Sequence, residues 1–126
     1  MRFALVATLA LAALALAGCS SDSGDGSPIP PQDEEGRYIV QLPASGNRFL
    51  PQHAEIPVGA TVVWVNEGST PHDVKADDGS FNSDSEFPLK MKRGDEFEHT
   101  FTTAGDYRYT CHLHEPHMWG LVHVIG

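Results

Sequence analysis

The C-terminal part of the chain contains its most informative stretch, which runs over residues 105–125 as GDYRYTCHLHEPHMWGLVHVI. Two runs rich in β-branched and aromatic residues, 105–111 and 120–125, flank a loop crowded with histidines. In the first run, side-chain alternation puts Cys111 on the same face as two tyrosines. The pattern predicts two strands joined by a short loop, with the Cys111 thiol on the buried face at the end of the first strand.

Runs of the same kind cover residues 37–42, 60–65 and 96–101, and Gly, Pro or Asn separates them. No comparable stretch has a helical period, although residues 80–89 leave room for a single small helix. Short strands at regular spacing with turn signals between them predict an all-β fold, an antiparallel β-sandwich. Residues 37–126 are enough for one small domain with one core.

The predicted strand at residues 105–111 and the loop that follows it supply donors for a metal ion. Cys111 offers a thiolate, Met118 a thioether, and several histidines follow Cys111, with His72 further upstream. A soft sulfur donor, two imidazoles and a weak thioether are what a trigonal electron-transfer copper site requires. Structural zinc usually takes further Cys or His in paired clusters. The donor set therefore predicts copper.

The cysteine content supports this prediction. The chain contains two cysteines, and the first, Cys19, falls in a processing signal. Cys111 is thus left without a disulfide partner. An unpaired thiol in an exported protein needs an occupant, and a metal is the best candidate because His114 is close by. The alternative is a buried, inert cysteine beside surface histidines.

Residues 1–18 have the features of a lipoprotein signal peptide: Arg2, then an apolar run, then small residues before Cys19. The run is short for a spanning helix, and no basic stop follows it. Residues 16–19, LAGC, resemble the bacterial lipobox, which implies that Cys19 becomes the mature N-terminus and carries lipid. The alternatives are an ordinary cleaved signal and an uncleaved anchor. We expect an exported protein, lipid-anchored to a membrane and facing the periplasm or the cell exterior.

Residues 19–36 are predicted to be the lipidated Cys19 and a flexible tether. The tether is made of Ser, Asp, Gly, Pro and Glu, with Ile29 as its only sizeable apolar residue. Such a composition cannot bury enough surface to offset the entropy of ordering. The chain carries a net charge of −9, and the mature form, without Arg2, is more negative still. We therefore expect no nucleic acid partner.

Several segments together resemble a known family. They are VGATVVWVN at 58–66, PHDV at 71–74, DGSF at 78–81, GDYRYTC at 105–111 and MWGLV at 118–122. With these segments the chain resembles the cupredoxins, the small blue copper proteins that include plastocyanin, amicyanin, pseudoazurin and the halocyanins. The resemblance implies a Greek-key β-sandwich with copper at one end. It also implies that His72, Cys111 and His114 are the equatorial ligands and that Met118 is the axial ligand.

The spacing of the last two ligands departs slightly from the family pattern. Three residues separate His114 from Met118, which lies between the spacings of plastocyanin-like and amicyanin-like chains. Glu115 or His117 could compete for the fourth position. Another interpretation of Met118 is that it fills the core against Trp119.

A second departure is Asp73, which occupies a place that is often Asn in plastocyanin-like proteins. Residues around the ligands orient them and tune the potential of the metal. We predict that the Asp73 amide donates to the Cys111 sulfur and that the Asp73 carboxylate meets His112. The alternative is that both side chains are solvated.

These features predict a monomeric electron carrier and not an enzyme, with one copper ion cycling between Cu(I) and Cu(II). His114 would be the partly exposed ligand that passes the electron. Pro116, Met118 and Trp119 would form a small docking patch for transient redox partner proteins. The tether would hold the domain near membrane-bound partners.

Two alternatives remain open in the sequence. One is a carrier or buffer that delivers copper to another protein. The other is a mononuclear copper enzyme with an open coordination position, in which Met118 is displaced and Glu115 or His117 takes part. No nucleophile elbow or phosphate loop suggests any other chemistry.

Overall fold

The computed structural model describes residues 29–126. In this part of the chain the elements follow in the order β1 Tyr38–Leu42, β2 His53–Pro57, β3 Thr61–Asn66, β4 Lys75–Ala76, a 3₁₀ helix Ser83–Ser85, β5 Glu96–Thr100, β6 Gly105–Thr110, a second 3₁₀ helix His112–His114, and β7 Trp119–Ile125. None of the helices in residues 29–126 has the length and hydrophobicity needed to span a membrane. The predicted signal peptide and Cys19 lie outside the described residues.

The strands form two sheets, in the orders β1-β3-β5 and β2-β7-β6-β4. The predicted all-β sandwich is confirmed. Pairing is antiparallel for β3 with β5, β6 with β7 and β4 with β6. The pairs β1 with β3 and β2 with β7 are parallel, so both sheets are mixed, and the antiparallel pairing that we predicted holds for the other three pairs. Because β2 belongs to the other sheet, the chain crosses over between β1 and β3 and returns in the same direction.

Two strands were not predicted from the sequence, and each has a physical reason. Strand β2, HAEIP, buries only Ala54 and Ile56 and ends on Pro57, a residue that argues against a strand. Strand β4 has two residues, too few for any alternation to be visible. The region 80–89 contains the 3₁₀ helix Ser83–Ser85, in which the Asp84 amide donates to the side chain of Asn82 at the N-terminal end.

The core is aromatic and is centred on Trp64 in β3. The ring of Trp64 stacks on Phe81 and on Phe97 with centroids 5.3 and 5.6 Å away, and meets Tyr109 edge-on at 5.4 Å. Tyr109 in turn lies against the backbone of Gly120, where an added Cβ would be 2.3 Å from the tyrosine ring. This packing brings β6 and the start of β7 together at the loop that joins them.

The tether predicted for residues 19–36 ends earlier than expected. The Asp33 carboxylate accepts a hydrogen bond from the Arg37 amide at 2.8 Å and pairs with the Arg37 guanidinium at 2.7 Å. The amide of Ile39 donates to the carbonyl of Pro31 at 2.8 Å. These bonds close a turn before β1, so the folded domain begins before residue 37.

Candidate metal centre

Three candidate ligands meet beside the end of β6. His72 precedes β4, Cys111 directly follows β6, and His114 lies in the second 3₁₀ helix. One donor atom from each lies within 4.8 Å of the other two. The Cys111 Sγ is 3.7 Å from the His72 Nδ1, and the two imidazole ring centroids are 5.0 Å apart. Metal–sulfur and metal–nitrogen bonds of about 2.0–2.3 Å, the lengths that zinc makes to Cys and His, would fit between donors at this spacing.

The electrostatics of these donors suit a metal ion. His72 is 1% exposed, and this burial, assisted by nearby His114, lowers the pKa of His72 to about 4, so that the imidazole is neutral near pH 7. Burial also raises the pKa of the Cys111 thiol, against the effect of the Asp73 amide. A bound cation reverses that preference, because a coordinating thiol loses its proton.

An unpaired nitrogen gives a further indication. The Nε2 atom of His114 is buried and has no hydrogen-bond partner among the described residues. A buried polar atom without a partner is unfavourable unless another group satisfies it, and a metal ion or a movement of the ring would do so. The residues present therefore fit a copper ion: two imidazoles, one of them held neutral by burial, and a protected thiol.

Met118 is buried on the same loop. Its carbonyl accepts a hydrogen bond from the Cys111 amide at 3.0 Å, and its amide donates to the His114 carbonyl at 3.2 Å. The side chain is 0% exposed and belongs to the hydrophobic core, whereas Glu115 and His117 are both exposed. The loop is thus closed by its own backbone, with the thioether inside and the two competing side chains outside.

The burial of Met118 contradicts one part of the predicted docking patch. Pro116 is exposed and Trp119 is half-buried, but Met118 is not accessible. The exposed apolar residues nearest in sequence to His114 are instead Leu113, which is 47% exposed, and Pro116. Met118 cannot contact a partner because it lies beneath this surface.

Asp73 links the two ligand loops. Its amide donates to the Cys111 Sγ at 3.5 Å, as we expected. Its carboxylate is 0% exposed, and Oδ1 accepts from the backbone amide of His112 at 2.7 Å. The expected contact with His112 therefore involves the main chain. The His112 imidazole is exposed and lies 3.4 Å from Glu115, so the solvated alternative is right for His112 and wrong for Asp73.

Two supporting residues were missed by the sequence analysis. The backbones of His72 and Met91 exchange hydrogen bonds of 3.2 and 2.9 Å, which fixes the first ligand loop against the segment before β5. The Asn66 side chain donates to the carbonyls of Thr70 and Met91 at 2.9 and 3.0 Å. Only Asn66 could have been suspected from the sequence, since an Asn at the end of a predicted strand with Gly68 two residues later is typical of a turn.

A family comparison decides what this arrangement is. The family model of copper binding proteins, the plastocyanin/azurin family, matches residues 40–125. The chain belongs to this family. The cupredoxin resemblance is thereby confirmed. Proteins of this family bind copper, and the His72, Cys111 and His114 donors form a group that could hold this ion.

Individual relatives agree with this assignment. Amicyanin of Paracoccus denitrificans is 29% identical over 121 residues, which cover 90% of each chain. The structure of a novel purple cupredoxin from Nitrosopumilus maritimus superposes with a TM-score of 0.58 and 35% identity, covering 69% of this chain and 98% of that one. A copper-containing nitrite reductase (NirK) from Thermus scotoductus SA-01 gives a TM-score of 0.60 and 33% identity, covering 71% of this chain. The match spans only 22% of the reductase, so the likeness concerns one part of that enzyme.

Proposed function

We propose that this protein is an electron carrier that uses one copper ion cycling between Cu(I) and Cu(II). The observation that carries the proposal is the cluster of the buried His72 and Cys111 with the half-buried His114, with donor atoms within 4.8 Å of one another. These three residues would hold the ion through two imidazole nitrogens and a thiolate, and Met118 would offer a weaker thioether donor. The amicyanin and plastocyanin relatives support the same role.

The chain's own residues favour rapid electron transfer. When bound, copper supplies the one-electron couple. The ligands are anchored by backbone hydrogen bonds between Cys111 and Met118 and between His72 and Met91. Because these anchors do not involve the metal, they would hold the donors in similar positions in both oxidation states. The Asp73 amide donates to the Cys111 sulfur and reduces the charge that a thiolate would place there.

The half-buried His114 is the proposed exit for the electron. It lies between Leu113 and the exposed Pro116, which offer a small apolar contact. Small contacts suit transient redox partners because they release quickly. We propose that the protein acts as a monomer with such partners.

The burial of Met118 favours the electron-carrier function over the function of a mononuclear copper enzyme. An open coordination position would require Met118 to leave the core, and Glu115 and His117 are exposed side chains. The delivery of copper to another protein is the remaining alternative. A protein that delivers copper would exchange its ion readily and would give no reversible redox wave.

The proposed location is a membrane surface outside the cytoplasm. We propose that residues 1–18 are removed and that lipid on Cys19 anchors the protein, facing the periplasm or the cell exterior. The sequence LAGC at residues 16–19 supports this. Mass spectrometry of the mature N-terminus tests it: an unmodified Cys19 or a retained Met1 would refute the lipid anchor.

The function itself is tested by visible absorption and electron paramagnetic resonance on the purified full chain with Cu(II). The proposal predicts an intense blue charge-transfer band and narrow copper hyperfine splitting, bleached by a reductant and restored by an oxidant. Cys111→Ser should remove the band, whereas His117→Gln should keep it. A pale species with ordinary splitting, or weak copper binding without a reversible wave, would contradict the electron-carrier role.

A further inference from the structure

Behind the first ligand loop lies a cluster of four charged side chains, defined here as the lysine–aspartate cluster. It consists of Asp73, Lys75, Asp84 and Lys90. The Lys90 Nζ is 3.0 Å from the Asp73 Oδ2 and 2.8 Å from the Asp84 Oδ2, and the Lys75 Nζ is 2.8 Å from the same Asp84 oxygen. The separation of Lys75 from Asp73 is larger, 3.8 Å. Lys90 is therefore the closest cation to the buried carboxylate.

The cluster is enclosed and not a set of surface ion pairs. The Asp73 side chain is 0% exposed, and those of the other three residues are 21 to 25% exposed. A buried carboxylate is strongly unfavourable unless a counter-charge and hydrogen bonds accompany it. His112 supplies a hydrogen bond to Oδ1, and Lys90 supplies the charge at Oδ2. The ion pairs with Asp84 and Asp73 also raise the pKa of Lys90, which favours its charged form.

The backbone at Lys90 gives independent support. Its φ is 73°, and it is the only non-glycine residue with positive φ in residues 29–126. That conformation favours glycine over a long side chain. The next residue, Met91, pairs through its backbone with His72. A lysine at this position is thus poorly explained by local conformation and is explained by its ion pairs, a hydrogen-bonded one with Asp84 and one with the buried Asp73.

We propose that Lys90 is a positioning residue that neutralises the buried Asp73 carboxylate and so helps to set the reduction potential of the copper centre. Asp73 touches both the Cys111 sulfur, through its amide, and the His112 backbone, through its carboxylate. Without the cation, the negative charge beside the site would stabilise Cu(II) and hold the second ligand loop less firmly. The inference rests on the proposed electron-carrier function.

The test is a double-mutant cycle that neutralises the two charges in the copper-loaded full chain, read by redox titration against a mediator. Lys90→Gln should lower the reduction potential and change the ratio of Cu(II) to Cu(I) at fixed mediator potential by roughly threefold to tenfold; tenfold is about 59 mV for a one-electron couple. Lys90→Arg should stay close to the parent protein. Asp73→Asn should raise the potential, and the double variant should return toward the parent value.

A matched control removes the same charge from an exposed position. Lys92 is exposed and has no ion pair in the described part of the chain, so Lys92→Gln should shift the potential much less than Lys90→Gln. Equal shifts in the two variants would overturn the inference. If Lys90→Gln does not fold, the double variant decides: folding restored by Asp73→Asn supports charge compensation, and continued failure contradicts it. Absence of any reversible wave in the parent protein would instead reject the proposed function.

Discussion

The amide of Asp73 lies 3.5 Å from the sulfur of Cys111, so the residue that follows the first histidine contacts the thiol of the second ligand loop. Because the same residue also accepts from the His112 amide through Oδ1, at 2.7 Å, the two loops are joined at two points. The protein's own hydrogen bonds therefore hold the two ligand loops together. These contacts explain how the loop between β6 and β7, which contains only a short 3₁₀ helix, can hold its donors in one arrangement.

Removing the Asp73 carboxylate should loosen this connection. We expect Asp73→Ala to destabilise the metal-free protein by about 1–3 kcal/mol more than Asp73→Asn, because Asn keeps an acceptor for the partly buried His112 amide and Ala does not. Urea denaturation of the metal-free chain measures the difference, with the slope compared between variants. Equal midpoints for Ala and Asn would mean that the hydrogen bond to His112 adds no stability.

Met118 can be tested separately as a ligand and as a core residue. Met118→Leu should cost less than about 1.5 kcal/mol in stability, since the two side chains have similar volumes. If the thioether is the axial ligand, the reduction potential should rise, because an apolar group there stabilises Cu(II) less than sulfur does. Cyclic voltammetry and denaturation of the same variant give both quantities.

Met91 offers a matched control for Met118. It is equally buried, at 0% exposure, and lies beside the first ligand loop. Met91→Leu should have a similar effect on stability and little effect on the spectrum or the potential. If the two variants behave alike in both measurements, Met118 only fills the core.

The contact between Tyr109 and Gly120 should tolerate no side chain at residue 120. An added Cβ would be 2.3 Å from the Tyr109 Cζ and hydroxyl, and the ring is fully buried. We expect Gly120→Ala to destabilise the protein by about 1–3 kcal/mol through overpacking. Thermal unfolding measures this loss. Combined with Tyr109→Leu, the loss should be smaller than the sum of the two single effects, and strict additivity would exclude the collision.

An ion pair between β6 and β7 allows a prediction about the pKa of the exposed His123. His123 on β7 contacts the Asp106 carboxylate on β6, and that hydrogen bond raises the pKa of His123 above its ordinary value near 6.5. Asp106→Asn should lower the midpoint of the His123 titration, as measured by NMR of the ring protons. Asp77→Asn removes another exposed carboxylate and should leave the midpoint where it was. A midpoint unchanged by Asp106→Asn would mean that the pair does not persist in solution.

The site was largely predictable because its chemistry is local in the sequence. Cys111, His114 and Met118 lie on one loop, and the strands around that loop alternate clearly, so the residues indicate both the donors and their position. The parallel pairing of β2 with β7 was not predictable, because the pairing depends on contacts between distant segments. Strand β2 gives little signal since only Ala54 and Ile56 are buried.

The charges around the site were harder to predict than the ligands. Carboxylates are seldom fully buried, so the sequence suggested that Asp73 lies beside Cys111 and His112 but not that its side chain is enclosed. Lys90 lies in a stretch with Lys92 and Arg93 that is typical of a solvated turn, and its contact with Asp73 appears only when the chain is folded. Tertiary ion pairs of this kind have no period that a sequence pattern could reveal.

Burial of His72 predicts how the metal-free protein responds to pH. Its pKa is lowered to about 4, chiefly by burial, whereas in the unfolded chain it is near 6.5. Between these values the unfolded chain binds a proton that the folded chain does not, so stability falls as the pH decreases from about 6.5 to about 4. At 1.36 kcal/mol per pH unit, the loss reaches at most about 3 kcal/mol.

Thermal unfolding of the metal-free chain across this window measures the effect. His72→Gln should flatten the dependence, because glutamine does not titrate, while His53→Gln, at an exposed position, should leave it unchanged. Bound copper should also suppress the dependence, since a coordinated imidazole cannot take up a proton without releasing the ion. The same slope in the parent protein and in His72→Gln would show that His72 titrates in the folded protein as it does in water, and its burial would then not be what keeps the ligand neutral.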